Sequence, residues 1–161
     1  GRRISSCVKE AELLKVFQEL RFLDTRGNAT TGVAVGEDLL LELDVHTHTT
    51  IRNLSLAMAV YTADGHRVMT CQTKYQLREA LTLVGRATVC CRLRNIRLMP
   101  GRYYIALRAS RNYDLVDQIR ERFPFDVYEA DVYGTGRISR NPNKGTFLPE
   151  VDWSVSRTCA S

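Results

Sequence analysis

Long hydrophobic runs are missing from this 161-residue chain: no apolar stretch approaches the roughly 20 residues of a bilayer span. The opening Gly1-Arg2-Arg3-Ile4-Ser5-Ser6 has no apolar core behind its charges, so no secretory leader is expected. A start at Gly1, with no Met, is expected of an excised fragment or a tag remnant. Lysine is scarce. Only Lys9, Lys15, Lys74 and Lys144 occur, so the net charge of +5 is almost wholly an arginine excess. The arginines are scattered (Arg21, Arg52, Arg67, Arg86, Arg92, Arg102 and Arg137) rather than run together. Only Arg102-Tyr103-Tyr104 interleaves aromatic with basic residues, so no nucleic-acid partner is expected.

Paired cysteine spacing is also missing. Cys7, Cys71, Cys90, Cys91 and Cys159 form an odd set with no CxxC, which argues against a disulfide framework and a zinc knuckle. On a strand, Cys90 and Cys91 would point to opposite faces and could not easily bridge. Reduced thiols are the expectation, and they favour the cytoplasm. The sequons Asn28-Ala29-Thr30 and Asn53-Leu54-Ser55 then carry no modification.

Catalytic signatures are absent as well: there is no HExxH, GxSxG or Walker A pattern. Gly134-Thr135-Gly136 lacks a third glycine and a following helical pattern, so it is no dinucleotide fingerprint. His46-Thr47-His48 places two imidazoles on one strand face, half of a metal site at most, and a polar loop is the preferred reading. Glu42 and Asp44 share a strand face as a solvated pair rather than as acids across a cleft. No catalytic residue, metal or cofactor is expected.

What the sequence does have is period-two alternation. Leu39, Leu41, Leu43 and Val45 alternate with Leu40, Glu42, Asp44 and His46. Leu54, Leu56, Met58 and Val60 alternate with Ser55, Ala57, Ala59 and Tyr61. Asp64-Gly65 signals a hairpin before a strand over 68–72. Ala87, Val89, Cys91 and Leu93 face away from Arg86, Thr88, Cys90, Arg92 and Arg94. After a turn at Pro100-Gly101, Tyr103, Ile105 and Leu107 alternate with Arg102, Tyr104, Ala106 and Arg108; Phe123, Phe125 and Val127 make a last strand. Such closely spaced strands and turns predict an all-β antiparallel β-sandwich. Residues 8–20 read as an amphipathic helix or a strand, and a strand over 14–23 is favoured because Asp24-Thr25-Arg26-Gly27 then turns it. One short helix is expected over 113–121, capped by Asn112. The expected division is a linker or tag remnant over 1–12, one domain over 13–155 and a tail over 156–161.

The outward faces carry the functional reading. Ser55, Ala57, Ala59 and Ala106 are small, and would floor a groove if their strands are neighbours. Tyr61 and Tyr104 would be its walls. Arg102, Arg108, Asp44 and His46 would supply hydrogen bonds, with Tyr75 and Gln72 behind them. Aromatic rings beside planar polar groups suit a sugar chain, whose C–H faces pack on rings and whose hydroxyls take bidentate partners. The same alanines would also suit a face covered by a loop or a second subunit. Trp153 is read either as a stacking platform or as packing at a sandwich end.

Several motifs follow one another in a distinctive order: Val35-Gly36-Glu37-Asp38-Leu39, Ala63-Asp64-Gly65, Leu98-Met99-Pro100-Gly101-Arg102-Tyr103 and Phe123-Pro124-Phe125-Asp126-Val127. Tyr133-Gly134-Thr135-Gly136, then Lys144-Gly145-Thr146-Phe147-Leu148-Pro149 and Trp153, complete it. The order resembles the C-terminal domain of Wzt proteins, the ATP-binding subunits of ABC transporters that export O-antigen polysaccharide. That resemblance implies an immunoglobulin-like sandwich acting as a non-catalytic carbohydrate-binding module for lipid-linked O-antigen polysaccharide. It also implies a homodimer, a transmembrane transporter subunit as partner through the full-length protein, and a cytoplasmic site at the inner face of the bacterial inner membrane. The shared motif residues read as architectural: Gly101 for a turn, Tyr103 for the core, Gly134 and Gly136 for special backbone conformations. The competing expectation is a structural or dimerisation sandwich with no ligand of its own.

Overall fold

A computed structural model describes residues 2–3, 14–138 and 145–155. The strands are β1 (Arg2–Arg3), β2 (Phe17–Leu23), β3 (Gly32–Ala34), β4 (Leu39–His46), β5 (Ile51–Thr62) and β6 (Arg67–Gln72). A four-residue helix α1 (Thr73–Gln76) follows, then β7 (Leu81–Leu83), β8 (Arg86–Leu93), β9 (Gly101–Arg111) and β10 (Asp114–Tyr128). One sheet runs β1-β2-β4-β8 and the other β3-β10-β9-β5-β6, with β7 beside β6 along β5. All pairs are antiparallel except β3 with β10.

The alternation read from the sequence builds the layers. Leu39, Leu41, Leu43 and Val45 are each no more than 1% exposed, while their outward neighbours on β4 stay half-buried. Tyr103, Ile105 and Leu107 of β9 and Phe123, Phe125 and Val127 of β10 meet them in the same core. Each such large side chain stabilises the fold by about 1.5–3 kcal/mol on burial. Phe125 stacks between Phe22 and Tyr103, and the Tyr103 hydroxyl donates to the Met99 carbonyl at 2.6 Å, so its polar end is satisfied inside.

The helix expected over 113–121 is instead the start of β10. Asn112 and Tyr113 both take positive φ, 48° and 72°, and form a two-residue hairpin turn between Arg111 and Asp114. The only helix among the described residues is α1. The segment favoured as a strand does form one, β2, while residues 8–13 of the alternative helix lie outside the described residues.

Gly32 shows how closely the parallel pair approaches. A Cβ there would lie 2.3 Å from the Asp126 carbonyl oxygen and 2.8 Å from the Tyr128 ring. Gly32→Ala is expected to push β3 off β10 and lower stability by about 1–3 kcal/mol. Urea unfolding measures it, and an unchanged midpoint would contradict the close approach.

Candidate functional site

The outer face of the larger sheet holds a groove of about 600 Å³. β5 lies at its centre, between β9 and β6, so the alanine-bearing strands are neighbours. Reading across, Ser55 faces Ser110, Ala57 lies between Arg108 and Gln72, and Ala59 lies between Ala106 and Thr70. Small side chains at the middle positions keep the floor low, and longer ones rise around it. α1 brings Lys74 and Tyr75 to one side, and the β9–β10 turn brings Asn112 and Tyr113 to one end.

At the other end, Tyr61 stands opposite both Tyr104 and Arg67. Arg67 donates to the Tyr61 hydroxyl through Nη2 at 2.6 Å and Nε at 3.1 Å. The Arg122 guanidinium lies 4.0 Å from the same ring centroid, so two cations brace one aromatic wall. Lys74 Nζ sits 3.9 Å from the Tyr113 ring centroid, and its hydrogen bond holds the Tyr113 hydroxyl below the usual tyrosine range. Gln72 Nε2 donates to Ser55 Oγ at 3.3 Å across the floor. The groove lining carries Arg67, Lys74, Arg78 and Arg108 against Glu79, a positive balance.

The residues singled out in the sequence divide into three sets. Tyr61, Arg108, Gln72 and Tyr75 line the groove together. Tyr104 shares the face and faces Tyr61, but lies beyond the lining. Arg102 is further along β9, where it donates to both Asp126 oxygens at 2.9 and 3.2 Å and holds that carboxyl below its usual range. Asp44 and His46 belong to β4 in the other sheet and face away from the groove, so the structure does not bring them to it. His46 packs edge-on against His48, and Trp153 is 89% exposed, away from the groove lining and packed at no sandwich end.

Asp44 has a different task. Arg21 donates to its two oxygens at 2.6 and 2.8 Å, and Thr88 adds a third bond at 2.8 Å. The hydrogen bonds from Arg21 first, then Thr88, lower its pKa from 3.8 to about 2. A carboxyl lowered by folding contributes stability that is complete above pH 3.8 and lost as pH falls through about 2. Asp44→Asn is therefore expected to flatten the acid loss of stability across that window. An equally steep loss in urea midpoints for the variant would contradict the assignment.

Lys74, Arg67, Arg122, Tyr113 and Gln118 are not singled out by the sequence. Arg67 and Gln118 join the site only through strand pairing, and Tyr113 only through the hairpin turn. Asn112, a residue type tolerant of positive φ, is the one local signal that could have exposed that turn.

The sequence matches the profile of the Wzt C-terminal domain family over residues 11–145. A crystal structure of the C-terminal domain of Wzt superposes with a TM-score of 0.70 at 9% identity, covering 87% of this chain and 83% of that one. At that identity the likeness is one of fold. The alkylpurine DNA glycosylase AlkC of Pseudomonas fluorescens, bound to DNA containing an abasic site analog, gives a TM-score of 0.45 at 13% identity. It covers 68% of this chain and 30% of that one. No curated protein sequence matches the chain.

Proposed function

Because the chain belongs to the Wzt C-terminal domain family, we propose that it is a non-catalytic carbohydrate-binding module recognising lipid-linked O-antigen polysaccharide. The family has a role in the O-antigen ABC transporter and is a C-terminal domain of a transporter subunit rather than a catalytic domain. The observation that carries the glycan reading is the groove: a low floor at Ala57 and Ala59 with Tyr61, Tyr75 and Tyr113 around it. Sugar C–H faces pack on such rings, and Arg108, Gln72 and Gln118 offer planar donors and acceptors to hydroxyls. The positive balance of the lining suits a glycan with acidic substituents. The binding body is the region 13–155, working as a homodimer beside the transmembrane subunit at the inner face of the bacterial inner membrane. Among the described residues no helix is long and apolar enough to cross a membrane.

Isothermal titration of the source strain's O-polysaccharide into the domain tests the reading. Tyr61→Ala is expected to weaken binding by about 1 kcal/mol, roughly fivefold. Tyr104→Ala is expected to act in the same direction through its contact position opposite Tyr61. Unchanged affinity in both variants, with an unchanged fold, would remove the aromatic walls from the account. No heat with wild-type protein would favour the ligand-free dimerisation domain.

A further inference from the structure

The two sheets are open at the edge where β6 of one sheet comes near β8 of the other, and an apolar crevice of about 860 Å³ lies there. Cys71 on β6 pairs in register with Met58, whose side chain points into the core, so Cys71 points inward too. Cys91 on β8 pairs with fully buried Leu41, so it also points inward, from the opposite sheet. Both half-buried thiols line the crevice and lie within hydrogen-bonding reach of each other. Cys90 pairs with Glu42 on the outer face and is exposed.

We propose that Cys71 and Cys91 form a dithiol–disulfide site that laces the two sheets together across their open edge. The three described cysteines are free, so the site is set out as its dithiol form. The Cys91 thiol donates to the Cys71 sulfur, which holds the Cys71 thiol down at about 7 and pushes that of Cys91 up. Cys71 is therefore the attacking thiolate and Cys91 the resolving thiol. The oxidant is a low-molecular-weight disulfide such as glutathione disulfide. Cys71 loses its proton and attacks one glutathione sulfur, expelling the first glutathione thiolate and leaving a mixed disulfide. Cys91 then loses its proton and attacks Cys71 Sγ, forming the protein disulfide and expelling the second glutathione thiolate. The two protons end on the two released glutathiones, so two protein thiols are oxidised and one glutathione disulfide is reduced. The reach of an inter-sheet disulfide is one that sandwich domains accommodate. The crosslink would fix β6, whose other face carries the groove residues Thr70 and Gln72. Formation of the bond does not depend on what the groove binds.

The test treats the whole chain with glutathione disulfide, blocks remaining thiols under denaturing conditions and reads intact mass and peptide linkage. Two of the five thiols should be lost, with no glutathione retained and one peptide pair joining Cys71 to Cys91. Cys90→Ser should leave the crosslink unchanged. Cys91→Ser should stop at a glutathione adduct on Cys71, and Cys71→Ser should give no adduct at Cys91. Wild-type protein that stays fully reduced, stops at a mixed disulfide or crosslinks through any other cysteine would overturn the proposal.

Discussion

Tryptophan in place of Ala57 is expected to weaken glycan binding about a hundredfold, about 2.8 kcal/mol, with little change in urea midpoint. Ala57 lies at the middle of the floor, with Arg108 on one side and Gln72 on the other. Its side chain points out of the sheet, so an indole there rises into the groove and takes the space a sugar ring would fill. The strand itself tolerates the change, since aromatic residues suit a pleated surface. Ala59 would be the poorer choice, because it is 8% exposed and a large residue there would strain the packing. Titration of O-polysaccharide into Ala57→Trp measures the effect. Wild-type affinity in a folded variant would move the binding face elsewhere, with the outer face of the smaller sheet as the next candidate.

The largest stability loss is expected from Asp117→Ala, about 2–4 kcal/mol. Asp117 is 1% exposed, and its Oδ2 accepts the backbone N–H groups of Val16 and Phe17 at 2.8 and 3.1 Å. Its Oδ1 accepts the Gln118 N–H at 2.8 Å. One carboxyl thus ties the entry to β2, in the smaller sheet, to β10 in the larger one. Alanine would leave those amides without their acceptor inside the protein. Burial outweighs the three backbone bonds and raises the Asp117 pKa above 3.8. The sign is therefore opposite to that of Asp44. An acid raised by folding lowers stability as pH rises from 3.8 through its folded value, because the charged form is the one burial disfavours. Asp117→Asn keeps one carbonyl acceptor and cannot ionise, so it should lose less stability than alanine and lack that fall. Paired urea titrations across the acid range distinguish the three proteins, and an alanine variant as stable as wild type would contradict the tie.

The strands that follow regular alternation are legible in the sequence by itself. β4, β8 and β9 alternate because one face meets the core more fully than the other, and period-two patterning records that directly. On β5 the outward Ser55 and Ala59 are buried as well, and there the alternation survives in side-chain size and polarity rather than in exposure. β10 misleads for a physical reason. Register shifts between Leu115 and Asp117 and between Ile119 and Phe123 break its alternation. They leave Val116, Ile119 and Phe123 buried at a spacing that mimics a helical stripe. The turn ahead of it uses Asn112-Tyr113 without glycine, so its punctuation is weak.

The site is half legible for a similar reason. Which way a side chain points is written along a strand, but which strands are neighbours is not. Ala59 and Ala106 read as small and outward, and the β5–β9 pairing joins them. Asp44 and His46 also read as outward, yet they lie on the opposite side of the molecule, because β4 pairs with β2 and β8 instead. Lys74 and Tyr113 enter from a four-residue helix and a turn, positions that no periodic pattern marks. The family motifs around Gly101 and Tyr103 are informative about architecture: Tyr103 is buried, with its hydroxyl satisfied by Met99.

Saturation-transfer NMR on the domain with the source strain's own O-polysaccharide, beside an unrelated O-polysaccharide, tests the glycan-binding claim most directly. Transfer to the cognate glycan alone, lost in Ala57→Trp, is the predicted result. No transfer to either glycan from folded wild-type protein would contradict that claim and leave a sandwich whose outer face serves assembly instead.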